Sequence, residues 1–308
     1  MAVLNLTINF DKDLPHTKII QIISPVYHLV SDDVLGLTIV FSNKIVRSEN
    51  LLIVASLVNF LRAKGILVDI TLMGQNTYAG QINFYRLIDV PFKEEYVRRD
   101  SAGRFIELKS FDQDSIYKLQ DELNIILYRN AVISKEVLEL LFYCLGEIMD
   151  NTLVHSGLNT GWVAAQYYPQ SQEIRLTICD HGNGIHHSLT QHRNSKYKDV
   201  TEHDALDLCI QRGVTNGEGL GFGLFATSQF ILKNKGDLLL YSGSYYLLAQ
   251  NGSYVIKKGA YAQGTLVSLR INTNVPVNYK EIMPEGHTLP DDYDFFIDKF
   301  FGEDNELW

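Results

Sequence analysis

Basic charge is what this chain has little of: 27 Lys and Arg face 36 Asp and Glu, giving a formal net charge of -9 at pH 7 and a pI near 5.5. Such a balance provides no bulk attraction to nucleic acid or to anionic lipid, so neither is an expected partner, and only a local basic patch stays open. Cysteine is scarcer. Cys144, Cys179 and Cys209 show no C-x-x-C spacing and no zinc-finger pairing with His, which excludes a disulfide framework and leaves three reduced, mostly buried thiols as the expectation. Long apolar runs are missing too. Stretches such as LLIVASLVNFL are too short for a bilayer, and MAVLNLTINFDKDLPH has neither the basic start nor the apolar core of a signal peptide. A cytoplasmic protein without membrane attachment is expected, with no internal repeat and no low-complexity tract.

What is present is an ordinary globular composition, 46% hydrophobic and 20% charged over 308 residues, a length that suits two domains. Residues 1–108 read as a small α/β unit. VLNLTINF alternates as a strand; IIQIISPVYHLV is apolar and fits helix or strand, with Pro25 opposing a long helix. GLTIVFSN reads as a buried strand, and Ser48 as the N-cap of a helix over ENLLIVASLVNFLRAKG that stops at Gly65. ILVDITLMG supplies the next strand, so a β-α-β crossover between parallel strands is expected. This segment resembles the sulfate-transporter and anti-sigma-antagonist (STAS) domain, where a serine at the helix start can be phosphorylated. Ser48 is the nearest match, although the family's Asp-Ser-Ser-Gly run is absent.

Between Gln75 and Phe111 the patterning breaks into charge and turn residues, the expected domain boundary. Residues 109–275 form the second unit and residues 276–308 an acidic tail with interleaved Phe, either a short amphipathic helix or mobile. In the second unit, DSIYKLQDELNIILYRN and SKEVLELLFYCLGEIMDNTLVHS have helical spacing, with Asp112 or Asp114 and Ser134 as N-caps. WVAAQYYP and EIRLTICD read as strands. A polar stretch from His186 to Gly217 holds one helix, at HDALDLCIQRG, and is expected to be a lid. GEGLGFGLFATSQFILKNKG is a glycine-rich approach to a helix, and DLLLYSGSYYLLAQNGSYVIKKGAYAQGTLVSLRIN reads as three strands with turns at Asn251-Gly252 and near Gly259.

The stretch LFYCLGEIMDNTLVHSG carries the chemistry. Glu147, Asn151 and His155 are each four residues apart, so a carboxylate, a carboxamide and an imidazole share one helix stripe while Leu145, Ile148, Met149 and Leu153 face a core. Downstream come DHGNG at the end of a strand, the polar lid, the glycine loop, and Gly264-Thr265 before a last strand. Taken singly, each piece is as readily structural. Their order resembles the ATP-binding domain shared by gyrase, the heat-shock chaperone, histidine kinases and MutL (GHKL), over Ser110 to Asn272.

The resemblance implies an α/β two-layer sandwich of the GHKL (Bergerat) type and two cofactors, ATP and Mg2+. Asn151 becomes the magnesium ligand and Glu147 the catalytic carboxylate, in a general-base role, that orients or deprotonates the attacking group. His155 approaches a phosphate or sits as a core-edge histidine. Asp180 receives the adenine amino group, with Gly182, Gly184 and Ile185 beside the base and Thr265 supporting it. Gly219, Leu220, Gly221 and Gly223 hold the triphosphate, and a register starting at Gly217 is the alternative. Lys196, Lys198 and Arg212 reach phosphates or solvate the lid.

The implied function is an ATP-binding, ATP-hydrolysing regulatory protein whose lid controls an unidentified protein partner, with the first unit as sensor or partner module. The region before Phe111 has no helical hairpin with a phosphorylatable His, so autophosphorylation on His is not expected. The alternatives are a serine/threonine protein kinase like the anti-sigma-factor kinases, closest through EIMDNTLVHS, or a nucleotide-gated module that does not hydrolyse. Self-association as a homodimer stays open.

Overall fold

The computed structural model describes residues 2–10, 14–42, 46–95, 97–98, 101, 103–130, 135–191, 195–215 and 222–282. The first unit begins with strand β1 (Val3–Asn9), helix α1 (His16–Ile23) and a 3-10 turn at Ser24–His28, which settles the ambiguous apolar run as helix stopped by Pro25. Strand β2 (Val34–Val40), helix α2 (Ser48–Ala63) and strand β3 (Leu67–Met73) follow. The three strands pair in parallel in the order β1-β2-β3, Leu37 standing between Leu6 and Ile70. The expected β-α-β unit is therefore present.

The Gln75 to Phe111 stretch carries secondary structure of its own. It contains short helices α3 (Thr77–Gln81) and α4 (Phe84–Leu87), with Ala79, Phe84 and Tyr85 in the core. It ends in strand β4 (Phe105–Phe111), already part of the second sheet, whose alternating Ile106 and Leu108 are buried. Helices α5 (Ile116–Asn130) and α6 (Lys135–His155) come next, then strands β5 (Gly161–Tyr168) and β6 (Glu173–Cys179). Asp112 caps the approach to α5, its Oδ1 accepting from the Ser115 amide at 3.0 Å. Ser134 lies outside the described residues.

The polar stretch holds two helices rather than one, α7 (Gly184–Thr190) and α8 (Glu202–Cys209), before helix α9 (Gly223–Lys233). Only two strands close the unit, β7 (Asp237–Gln250) and β8 (Ser253–Asn272). They turn at Asn251 and Gly252, both at positive φ, as a tight hairpin requires. Gly259 marks no turn: a Cβ there would lie 2.1 Å from the Tyr241 hydroxyl, so glycine serves a close approach across the ribbon. The second sheet is antiparallel, in the order β4-β5-β6-β8-β7.

The chain is thus a mixed α/β protein with one parallel and one antiparallel sheet. Helices α5, α6 and α9 cover one face of the antiparallel sheet around Ile148, Met149, Ile178 and Leu240. The other face, with Ala164, Cys179 and Leu266, packs into the core of the first unit. Helix α2 is consequently a middle layer between two sheets, which is why residues 48–58 are all buried, polar Glu49, Asn50 and Ser56 included. A helix apolar on every side is the sequence signature of that position. Ser48 is not the N-cap: Arg47 holds that place, and Ser48 is the first helical residue, with its hydroxyl donating to Glu49 Oε2 at 3.0 Å. Among the described residues no helix is long and apolar enough to cross a membrane.

Candidate functional site

Helix α6 divides its faces as its spacing dictates. Cys144, Leu145, Ile148, Met149 and Leu153 are buried in the core, while Glu147, Asn151 and His155 line one open cavity of about 310 Å³. That volume lies at the low end of small-molecule sites. Asp180 reaches the cavity from the turn after β6, Gly184 and Ile185 from the start of α7, Gly223 from the start of α9, and Thr265 from β8. Apolar walls come from Leu189, Phe222, Leu240 and Val267.

At the inner end Asp180 is buried, at 5% exposure. Burial pushes its carboxyl up to about 7, against the opposing hydrogen bonds from the amides of Gly182, at 2.8 Å, and Thr265. Its own amide donates to the Thr265 carbonyl at 2.9 Å, tying the turn to β8. Gly264, at φ +85°, permits this approach: a Cβ there would lie 2.2 Å from the Asp180 carbonyl oxygen. Ser242 holds the far side, accepting from the Ile185 amide at 2.9 Å and donating to the Gly264 carbonyl at 3.0 Å. The turn is pinned by backbone contacts that admit no side chain.

At the outer end Glu147 is half-buried. Burial raises its pKa first, a hydrogen bond from Tyr143 opposes the rise, and the nearby Asp150 charge adds to it. Asp150 is exposed and lines the same cavity, one residue before Asn151. Two carboxylates and a carboxamide thus offer oxygen atoms on one helix face beside the first turn of α9. Oxygen donors of this kind suit a hard divalent cation that keeps water and phosphate ligands. No group of three or more His, Cys, Asp and Glu with metal-holding geometry occurs among the described residues. A cation here would need ligands from its substrate.

The remaining expected site residues fall elsewhere. Gly182 is not in the cavity wall; a Cβ there would lie 2.0 Å from the Ser156 carbonyl, so its role is packing of the turn on the end of α6. Lys196, Lys198 and Arg212 are exposed and do not line the cavity. Gly217, Gly219, Leu220 and Gly221 lie outside the described residues. Asp150, Ser188 and Ser242 had not been singled out. Asp150 was legible, three residues after Glu147 on one helix stripe. Ser242 had no local signal, because its role arises where β7, α7 and β8 meet.

Comparison with known proteins adds no relative: no family model matches the chain, and no curated protein sequence matches it.

Proposed function

We propose that the chain is a magnesium-dependent ATP-binding and ATP-hydrolysing regulatory protein on a GHKL (Bergerat) sandwich, controlling a protein partner through the α7–α8 lid. The observation that carries this reading is the convergence of Glu147, Asn151, Asp180, Gly184, Gly223 and Thr265, from separate elements, on one cavity. They are spread along 119 positions of sequence, from residue 147 to 265, and the fold gathers them where one ligand could touch them all.

The residues fit the groups the reading requires. Asp180, buried and fixed by two backbone amides, accepts from an exocyclic amine such as that of adenine when ionised, and would face a repelling carbonyl in guanine. Asn151 presents a carboxamide oxygen to magnesium, which commonly takes only one or two ligands from protein. When bound, magnesium and the triphosphate supply the electrophilic phosphoryl group. Glu147, its pKa raised by burial, orients the attacking water and takes its proton. Gly223 and Leu224 place the first turn of α9, where helix amides have no partner within the helix itself, against the cavity at the anionic end.

Calorimetric titration of the purified chain with Mg-ATP tests the reading, with Mg-GTP as control. Asp180→Asn should weaken Mg-ATP by about 100-fold, as expected for an unmatched buried polar pair. Glu147→Ala should abolish phosphate release while ATP binding persists. No binding of Mg-ATP at millimolar concentration would sink the proposal. Label transferred to a protein Ser or Thr, with none released to water, would move the assignment to a protein kinase of the anti-sigma-factor type.

A further inference from the structure

Asp180 has a neighbour that the nucleotide reading does not use. His181, next in the chain, does not line the cavity and lies on the side of the first unit. There it is buried against the first unit, its ring stacked on Phe60 of α2 at 4.8 Å between centroids and 19° between planes. Its Nε2 lies 3.0 Å from the Ser56 hydroxyl, also on α2.

Ser56 Oγ also lies 3.1 Å from the Ile53 carbonyl and 3.5 Å from the Cys179 thiol. Nδ1 is buried without a hydrogen-bond partner among the described residues. A proton on Nε2, donated to Ser56 Oγ, leaves a bare acceptor at Nδ1, whereas the other tautomer would bury an orphaned N–H, so the Nε2–H form is the favoured one. The ring also borders a second cavity of about 30 Å³, reached by Tyr27, Ser56 and Gln263. His181 is thus held by the Ser56 hydrogen bond, the Phe60 stack and a tilted contact with the Tyr27 ring at 6.3 Å, and it borders the small cavity.

The backbone of the same residue is clamped. A Cβ on Gly264 would sit 2.7 Å from the His181 Cα and 2.2 Å from the Asp180 carbonyl oxygen, and Gln263 Nε2 donates to the His181 carbonyl at 2.9 Å. The 180–181 peptide has little freedom to rotate independently of its two side chains. A stiff 180–181 peptide is the link by which a shift of the imidazole along α2 would reach the Asp180 carboxylate.

We infer that the first unit sets the nucleotide affinity of the cavity through His181, with Ser56 and Phe60 of α2 as the seat that positions Asp180. This rests on the reading of the cavity as a nucleotide site and deepens it. His181 is a positioning residue. Coupling of this kind is reciprocal, so a ligand or partner that shifts α2 alters nucleotide affinity, and nucleotide alters the affinity of the first unit for that partner.

The test uses the full chain and Mg-ATP titration of Ser56→Ala, His181→Phe, His181→Gln and the Ser56→Ala/His181→Phe double variant, each with a thermal midpoint. Phe keeps the stack and lacks the N–H donor; Gln keeps an N–H donor and loses the stack. Ser56→Ala and His181→Phe should each weaken Mg-ATP by about tenfold, inside the roughly 5- to 150-fold span of coupling between sites. The double variant should be no weaker than either single variant. His181→Gln should bind more tightly than His181→Phe while having the lower thermal midpoint; a purely structural histidine would give both measurements the same rank order. Wild-type binding with single variants within about twofold of it overturns the inference and leaves the nucleotide reading standing. So do additive losses in the double variant. A wild-type chain that binds no Mg-ATP overturns both.

Discussion

Gly223 and Glu147 occupy space that a single methyl group would close. A Cβ on Gly223 would lie 2.4 Å from Glu147 Cβ, 2.9 Å from its Cγ and 3.2 Å from Oε2. Helix α9 therefore starts flush against the α6 carboxylate, and the glycine is required by the neighbour, since its φ is not in the left-handed region. Gly223→Ala should push α9 off α6, at about 1–3 kcal/mol of stability. It should also cut phosphate release about tenfold through the displaced Glu147. Unfolding midpoints and phosphate release check both; wild-type values in each would mean that the start of α9 slides without consequence.

The glycines at positive φ separate by what surrounds them. Gly264 (φ +85°) abuts the Asp180 carbonyl, whereas Gly252 (φ +80°) has open space where its side chain would be. Gly252→Ala should cost only the conformational penalty, about 1–2 kcal/mol. Gly264→Ala carries that penalty plus a backbone clash and should lower stability by about 3 kcal/mol or more, with loss of Mg-ATP binding. Equal unfolding midpoints for the two variants would refute the close packing at Asp180.

Much of this was legible from period and punctuation. The parallel β1-β2-β3 unit, α2, and the strands around EIRLTICD announce themselves by apolar runs of the right length between Gly and polar turns. The α6 stripe was legible because Glu147, Asn151 and His155 interrupt an apolar helix at a fixed interval. What failed was long-range in origin. β4 was hidden because Arg104, Glu107 and Lys109 dilute an alternation that shows only once Ile106 and Leu108 have a core to face. Gly259 mimics a turn glycine and is instead demanded by the Tyr241 hydroxyl across the strand pair. Ser242 and Ser56 are ordinary serines until tertiary structure brings Ile185 and His181 to them.

Asp180 and His181 should oppose each other in acid. Asp180 has a folded pKa of about 7 against an ordinary 3.8, so between those values the folded chain holds a proton that the unfolded chain has released, and stability falls as pH rises. His181 has a folded pKa of about 3 against 6.5, so across its window the unfolded chain holds the extra proton, and stability is lost as pH falls. Burial drives both shifts, and the two slopes oppose each other in the wild type. Asp180→Asn should therefore lose stability relative to wild type between pH 7 and pH 4, and His181→Phe should gain it. Urea unfolding at several pH values reads the difference. Three parallel profiles would rule out the opposed pair.

Ser48 offers the sharpest contrast between a sequence resemblance and a packed environment. At 1% exposure it is sealed in the middle layer, beside a Glu49 side chain that is itself 2% exposed. The Glu49 carboxylate already receives the Ser48 hydroxyl at 3.0 Å and has Arg175 at 3.8 Å. Arg175 is shared with Glu173, at 2.6 Å, so this guanidinium already serves two carboxylates. A regulatory phosphorylation site tolerates an acidic mimic, because the modified state must fold. Here Ser48→Asp would bury a like charge against Glu49 and should destabilise the chain by about 3–5 kcal/mol, while Ser48→Ala should cost about 1 kcal/mol. Paired unfolding measurements settle the matter: a Ser48→Asp variant as stable as Ser48→Ala would return Ser48 to the candidates for phosphorylation.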